Sequence, residues 1–303
     1  MSFATDTKKE LCSIATTEVE ALRSELYAML LLSKRFTSDK IIFKTENKYA
    51  ANHFASLCSI LFSPIIESTK PITKTSKTYT VKIIDSADCK RIFELFGHDE
   101  REINLRVNRA NIPDSMCERA FIRGAFLACG SVTDPDKGYH LELCVVHKNL
   151  CNDICNIIRD IEDCNITIKM LNRNGSYVAY VKDSEQITDM LTFIGATNAA
   201  MAVMGAKALK QVRNTANRRT NSEIANLQKV ASASAAQIKA INKLKKSGKF
   251  LKLPEELKVV AQLRLEYPEL SLRDMGEMLD PPISRSGVNH RLTKLIQLSQ
   301  EDD

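Results

Sequence analysis

Within the eleven positions from Ser284 to Lys294 the sequence gathers Ser284, Arg285, Ser286, Asn289, His290, Arg291, Thr293 and Lys294. Amide, hydroxyl and imidazole groups suit base edges, and guanidinium and ammonium groups suit phosphates, so this set has the chemistry of a DNA reader. Arg213, Arg218 and Arg219, set among Asn214, Asn217 and Asn221, offer phosphate contacts of second rank. A third set, His140, Cys144, His147, Cys151 and Cys155, consists of metal-ligand types. Strand alternation, however, places His140 and Cys144 on one face and His147 on the other, and no pair has C-x-x-C spacing. The expectation is therefore no metal and no cofactor.

A reader set works only if a helix presents it. Val288, Leu292, Leu295 and Ile296 recur at helical spacing, which turns Ser286, His290, Thr293 and Lys294 outward and leaves Asn289 and Arg291 at the edges. Ser284 is placed to cap this helix, and Gly287 would keep its outer surface low. Before it, Ser271 and Asp274 resemble a capping box for a short helix carrying Leu272, Met275 and Leu279. Pro254-Glu255-Glu256 opens a first helix that Pro268 ends. A short helix, a turn and a polar-faced helix form a helix-turn-helix, whose second helix enters the major groove. The competing reading is a trihelical packing or dimerisation module, a scaffold without DNA affinity.

Charge supports the polyanion reading. The 303 residues carry a net +6, yet Gly205 to Lys252 alone holds twelve Lys or Arg against one acid, Glu223. The rest of the chain is mildly acidic. From Asn198 to about Lys246 no proline interrupts an Ala-, Asn- and Lys/Arg-rich stretch, read as one or two long helices with apolar faces at Ile224, Leu227, Val230 and at Ile238, Ile241, Leu244. Ser247-Gly248 breaks it. No apolar run approaches the roughly 20 residues of a membrane span, and MSFATDTKKE lacks the apolar centre of a signal peptide, so a cytoplasmic protein is expected, with no membrane partner. The nine cysteines read as small buried hydrophobes of a reducing compartment.

The first two thirds are a divergent duplication. Phe121, Gly124, Ala125 and Ala128 form one helical stripe with two very small members, and Ser24 and Ala28 repeat its small positions 100 residues earlier. Such helices can pack almost backbone to backbone. Tyr79, Asp85, Ser86 and Gly97 recur 98 residues later as Tyr177, Asp183, Ser184 and Gly195. Strands are expected at Lys40 to Thr45, near Ile65, at Tyr79 to Ile84, Tyr139 to Val146, Ile166 to Leu171 and Tyr177 to Val181, with Asn174-Gly175 as a type I′ hairpin turn. The unit reads α-β-β-α-β-β-α, used twice.

FIRGAFLACGSV (Phe121 to Val132) resembles the LAGLIDADG helix of homing endonucleases. That resemblance implies a pseudo-twofold fold in which an acid at each helix end holds divalent metal. Here Cys129 stands at one such position, and the other helix ends Met29-Leu30-Leu31-Leu32-Ser33 with no acid; Asp134 and Asp136 follow in a loop without a twofold mate. No catalytic residue is assigned, and a Mg-dependent endonuclease remains the alternative from the enzyme side.

With RNTANRRTNSEIANLQK (Arg213 to Lys229) and ISRSGVNHRLTKL (Ile283 to Leu295), the whole chain resembles the WhiA family of bacterial regulators. The resemblance implies an α+β chain: a duplicated, degenerate LAGLIDADG-like domain over residues 1–197, a basic helical connector over 198–250, and an all-α helix-turn-helix domain over 251–303. It further implies a transcription factor binding double-stranded DNA at the nucleoid, tied to sporulation in actinomycetes and to cell division or chromosome organisation elsewhere. A regulatory protein partner, an iron-sulfur regulator in actinomycetes, comes with the resemblance.

Overall fold

Two duplicated helices lie at the centre of the first of two units, Met1–Lys210, the second being Gln211–Asp303. The computed structural model describes residues 2–70, 78–102, 104–162 and 164–300. The chain opens with a helix that was not anticipated, α1 (Phe3–Leu11), capped by the Ser2 hydroxyl, which accepts from the Thr5 amide. Repeat one follows as α2 (Val19–Leu31), β1 (Arg35–Phe36), β2 (Ile41–Thr45), α3 (Lys48–Phe62), β3 (Ile66–Thr69), β4 (Tyr79–Ile83) and α4 (Ser86–Leu95). Repeat two is α5 (Ser115–Cys129), β5 (Gly130–Val132), β6 (Leu141–Val145), α6 (Lys148–Arg159), β7 (Lys169–Arg173), β8 (Ser176–Val181) and α7 (Ser184–Ile194). The α-β-β-α-β-β-α order is thus realised twice, each copy with a four-stranded antiparallel sheet, β1-β2-β4-β3 and β5-β6-β8-β7.

Strand register explains the two offsets in the sequence. Ile41 pairs with Ile83 and Phe43 with Val81 in the first sheet; Leu141 pairs with Val181 and Leu143 with Ala179 in the second. One strand is displaced by 100 and its partner by 98 at identical register, so repeat two is shorter by a net two residues between them. The repeated residues do repeated jobs. Asp85 and Asp183 cap α4 and α7 by accepting backbone amides, while Gly97 (φ 76) and Gly195 (φ 97) take the left-handed conformation just past the same helices. Strand β7 lies later than its expected Ile166–Leu171 span. The turn at Asn174 (φ 52) and Gly175 (φ 78) brings Arg173 opposite Ser176, so pairing runs up to the turn, whereas Ile166 and Ile168 enter the core before it.

Gly124 shows why α5 carries a residue that costs a helix roughly 1 kcal/mol. A Cβ there would lie 2.2 Å from the Glu25 carbonyl oxygen and 3.1 Å from the Ala28 Cβ, a contact only hydrogen can occupy. Its repeat-one counterpart Ser24 does something else: its hydroxyl reaches the Asn111 carbonyl at 2.6 Å. Beside the contact, Glu25 (2% exposed) takes two donors from Arg123 on Oε2, at 2.9 and 2.8 Å, and one from His53 Nε2 at 2.8 Å on Oε1. Burial pushes the Glu25 carboxyl up, but the His53 hydrogen bond and the Arg123 charge outweigh it and hold its pKa below the usual value.

Helix α8 (Thr197–Lys246) is continuous. Its Ala199, Ala200 and Val203 complete the first core, residues 211–233 are exposed all round, and Ile241 and Leu244 enter the second core. Ile224, Leu227 and Val230, expected as an apolar face, are exposed and enter neither core. After a 3-10 turn at Lys249–Lys252, α9 (Glu255–Glu266), α10 (Leu272–Glu277) and α11 (Arg285–Gln300) pack around Leu257, Val260, Met275, Val288, Leu292 and Leu295. No helix among the described residues is long and apolar enough to cross a membrane.

Two outcomes follow. Gly124→Ala should lower stability by about 3 kcal/mol, the upper end for overpacking, since its clash is with backbone; the urea midpoint reads this. Because the folded Glu25 pKa is depressed, its contribution is complete above the unfolded value near ~4.3 and lost as pH falls through the lower folded value. Glu25→Gln should therefore be much less stable than wild type at pH 7, with the difference shrinking on acidification; an undiminished gap at pH 3 would refute this.

Candidate nucleic-acid interface

The helix-turn-helix is assembled by local chemistry. Ser271 caps α10 by accepting from the Asp274 amide at 3.2 Å, while its hydroxyl donates to Asp274 Oδ2 at 2.8 Å. Ser284 does the same for α11, accepting from the Gly287 amide at 3.2 Å. The close approach in this motif is at Gly276, where a Cβ would meet the Ile283 carbonyl oxygen at 2.2 Å; the Ile283 amide donates back to the Gly276 carbonyl at 3.0 Å. Gly287, expected to lower the outer surface, is half-buried against the Ile283 side chain instead, at 3.4 Å for an added Cβ.

Helix α11 buries Val288, Leu292 and Leu295 and exposes Ser286, His290, Thr293 and Lys294, as its periodicity predicts. At about 100° per residue, Arg285 and Asn289 share one flank of this face and Arg291 lies on the other. Arg291 is the least available of the set, because Glu256 of α9 holds its guanidinium at 2.9 Å. The structure thus brings Ser284 to Lys294 onto one surface. It does not bring Arg213, Arg218 and Arg219 together. They point in three directions from the fully exposed part of α8, and Arg219 pairs with Glu223 at 3.0 Å.

Sequence reasoning missed Arg264. It is 2% exposed, inside the motif, and donates from one nitrogen to the carbonyls of Pro268 (3.3 Å) and Leu270 (2.8 Å), while its Nε has no partner. Ser234 of α8 donates to the same Pro268 carbonyl at 2.6 Å. An arginine on an apolar stripe of α9, among Leu257, Val260 and Ala261, was the available signal.

In the duplicated unit, the helix ends corresponding to a nuclease centre carry different chemistry. Cys129 ends α5; burial pushes its thiol up to about 12, and the thiol donates to the Ala125 carbonyl at 3.4 Å. Lys8 of α1, also missed, places its buried ammonium 3.1 Å from the Leu127 carbonyl at the negative end of α5. Burial lowers the Lys8 pKa. A groove of about 620 Å³ at these ends is lined by Ser33, Lys34, Arg35, Lys44, Cys144 and His147 among others, with no acid among its described lining residues. Asp134 instead shapes its own loop, accepting from the Asp136 amide at 3.1 Å. Of the five candidate metal-ligand residues, His140 bonds Glu142 at 3.0 Å, Cys144 and His147 line the groove, and Cys151 and Cys155 are buried one turn apart on α6.

Comparison with known proteins agrees with this arrangement. One family model, described as the WhiA LAGLIDADG-like domain, matches residues 118–213, and another, the WhiA C-terminal HTH domain, matches residues 216–299. A protein of Ruminiclostridium cellulolyticum named probable cell division protein WhiA is 35% identical, over 99% of this chain and 97% of its own length. One of the same name from Clostridium botulinum is 33% identical, over 99% and 98%. The crystal structure of full-length DUF199/WhiA from Thermatoga maritima shares the fold, with TM-score 0.60 at 24% identity over 99% of both chains. With both family domains matched in order and relatives above 30% identity aligned along nearly its whole length, the chain belongs to the WhiA family.

Proposed function

We propose that the chain is a sequence-specific DNA-binding transcription regulator, acting at the nucleoid in cell division, chromosome organisation or sporulation, and that it cuts no DNA. The observation that carries this reading is the exposed face of α11, where Ser286, His290, Thr293 and Lys294 stand clear of the core with Arg285 and Asn289 beside them. A helix with this face fits the major groove, and its first turns reach base edges. Family membership and the relatives' name as cell division proteins support the process.

Residues 251–303 are assigned base reading, and 198–250 backbone contact. Arg213, Arg218 and Arg219, facing different directions, add sequence-independent affinity by counterion release. Residues 1–197 are assigned to binding rather than cleavage. At the end of α5 Cys129 stands where the resemblance places a metal-holding carboxylate, and the buried Lys8 amine beside it donates to the Leu127 carbonyl. The groove beside it suits backbone or a regulatory protein partner.

Selection from a random-duplex pool should yield a common motif. Arg285→Ala and Lys294→Ala should each cost about 1–3 kcal/mol on that motif, and Arg218→Ala should weaken all duplexes alike and lower the salt slope by about one. Supercoiled plasmid should stay uncut with Mg²⁺. Cleavage would restore the endonuclease reading, and no salt-dependent binding would leave a scaffold.

A further inference from the structure

A second feature of the Gln211–Asp303 unit is a cleft of about 430 Å³ between the last third of α8 and the helix-turn-helix. Lys229 and Gln237 of α8, Arg264 of α9, Arg273 of α10 and Arg285 of α11 all line it, and no Asp or Glu is among its described lining residues. Four of these five side chains are cations. Arg273 shares its charge with Glu277 at 3.0 Å, whereas Arg264 is held only by backbone carbonyls.

Two buried polar atoms at this cleft are unpartnered. Arg264 Nε is one, in a side chain 2% exposed; Gln237 Oε1 is the other, in a side chain 7% exposed. A buried guanidinium without a paired anion is an expensive thing for a small core to keep, and an unsatisfied donor adds to the cost. Burial indeed lowers the Arg264 pKa, against only partial compensation from Glu269. A small shift of the Arg264 side chain, with the Gln237 amide turned to present its NH₂, would let an anionic oxygen in the cleft accept from both. The Lys229 ammonium would complete the set. Arg285 and Asn289, the flank of the α11 reading face, line the same cleft, so its occupant lies next to the bases that α11 would read.

We propose that this cleft is a phosphate site, taking one backbone phosphodiester of the bound duplex beside the bases read by α11. The proposal rests on the DNA-reading function above. It gives α8 a part in the reader: Lys229 and Gln237 fix the register from which Arg285 and Asn289 reach the bases. Phosphate contacts position while base contacts specify, so Lys229 and Gln237 variants act on all sequences alike.

The test uses the full chain and the selected duplex carrying a single neutral methylphosphonate, moved one position at a time. With wild type, one position flanking the selected bases should weaken binding about tenfold, the loss of a charge-assisted hydrogen bond. With Lys229→Ala, and separately with Gln237→Leu, that same position should matter less than about twofold, while every other position keeps its wild-type effect. Lys229 is exposed, so its variant keeps the test valid if the buried substitution unfolds the unit. Duplex binding with no methylphosphonate position coupled to either variant would overturn the proposal and leave the reader intact. A melting temperature raised by inorganic phosphate in wild type but not in Lys229→Ala, again without such coupling, would reassign the cleft to a free anion and equally overturn it. Absence of any salt-dependent duplex binding by wild type would instead sink the DNA reading itself.

Discussion

The contact of α2 with α5 is the constraint on which the duplicated unit depends. Gly124 admits the Glu25 carbonyl to a distance no other residue allows. One residue away, Arg123 spans the seam to the Glu25 carboxylate, with both partners buried and His53 completing the set. Close approach and ion pairing reinforce one another. The glycine sets the spacing at which two guanidinium donors reach one carboxylate oxygen, and that pairing specifies the register in which the glycine meets its carbonyl. A buried pair is weak evidence for net stability, but breaking one leaves an uncompensated charge. Its value here is in fixing how repeat one meets repeat two.

Around that seam the two copies differ at their helix ends and stay alike where backbone geometry constrains them. Helix caps persist in both, Asp85 with Asp183 and Gly97 with Gly195, because backbone amides and left-handed turns admit few residues. Helix ends have not persisted. Leu32 follows one and Cys129 ends the other, and Lys8, from an element outside the repeat, supplies the charge that faces the α5 carbonyls.

The helix-turn-helix unit is small, and α8 contributes to its core through Ile241 and Leu244. Arg264 ties α9 to the loop that precedes α10, and Ser234 of α8 binds the same Pro268 carbonyl. The exposed face of α11 is backed by Val288, Leu292 and Leu295, and Arg291 ties the helix to Glu256 of α9.

While the structure decided that the connector is one helix rather than two, periodicity, capping residues and the duplicated Tyr, Asp and Gly positions determined, by themselves, the α-β-β-α-β-β-α unit, its doubling, the helical nature of the connector, and the outward face of α11. These are local properties, carried by neighbours within one or two turns or by a strand's alternation. The sequence did not reveal α1, whose nine residues are mostly polar and which docks through Leu11, Phe3 and the buried Lys8. Nor did it place Gly276 as the tight position, or separate Arg291 from its neighbours on α11 by the pull of Glu256. Tertiary structure alone decided the Glu25–Arg123 pair, 98 residues apart, and the meeting of Lys229 and Gln237 with Arg264. The reason is physical: a side chain's spacing along its own helix fixes which way it points, but what it meets depends on packing that distant segments must form together.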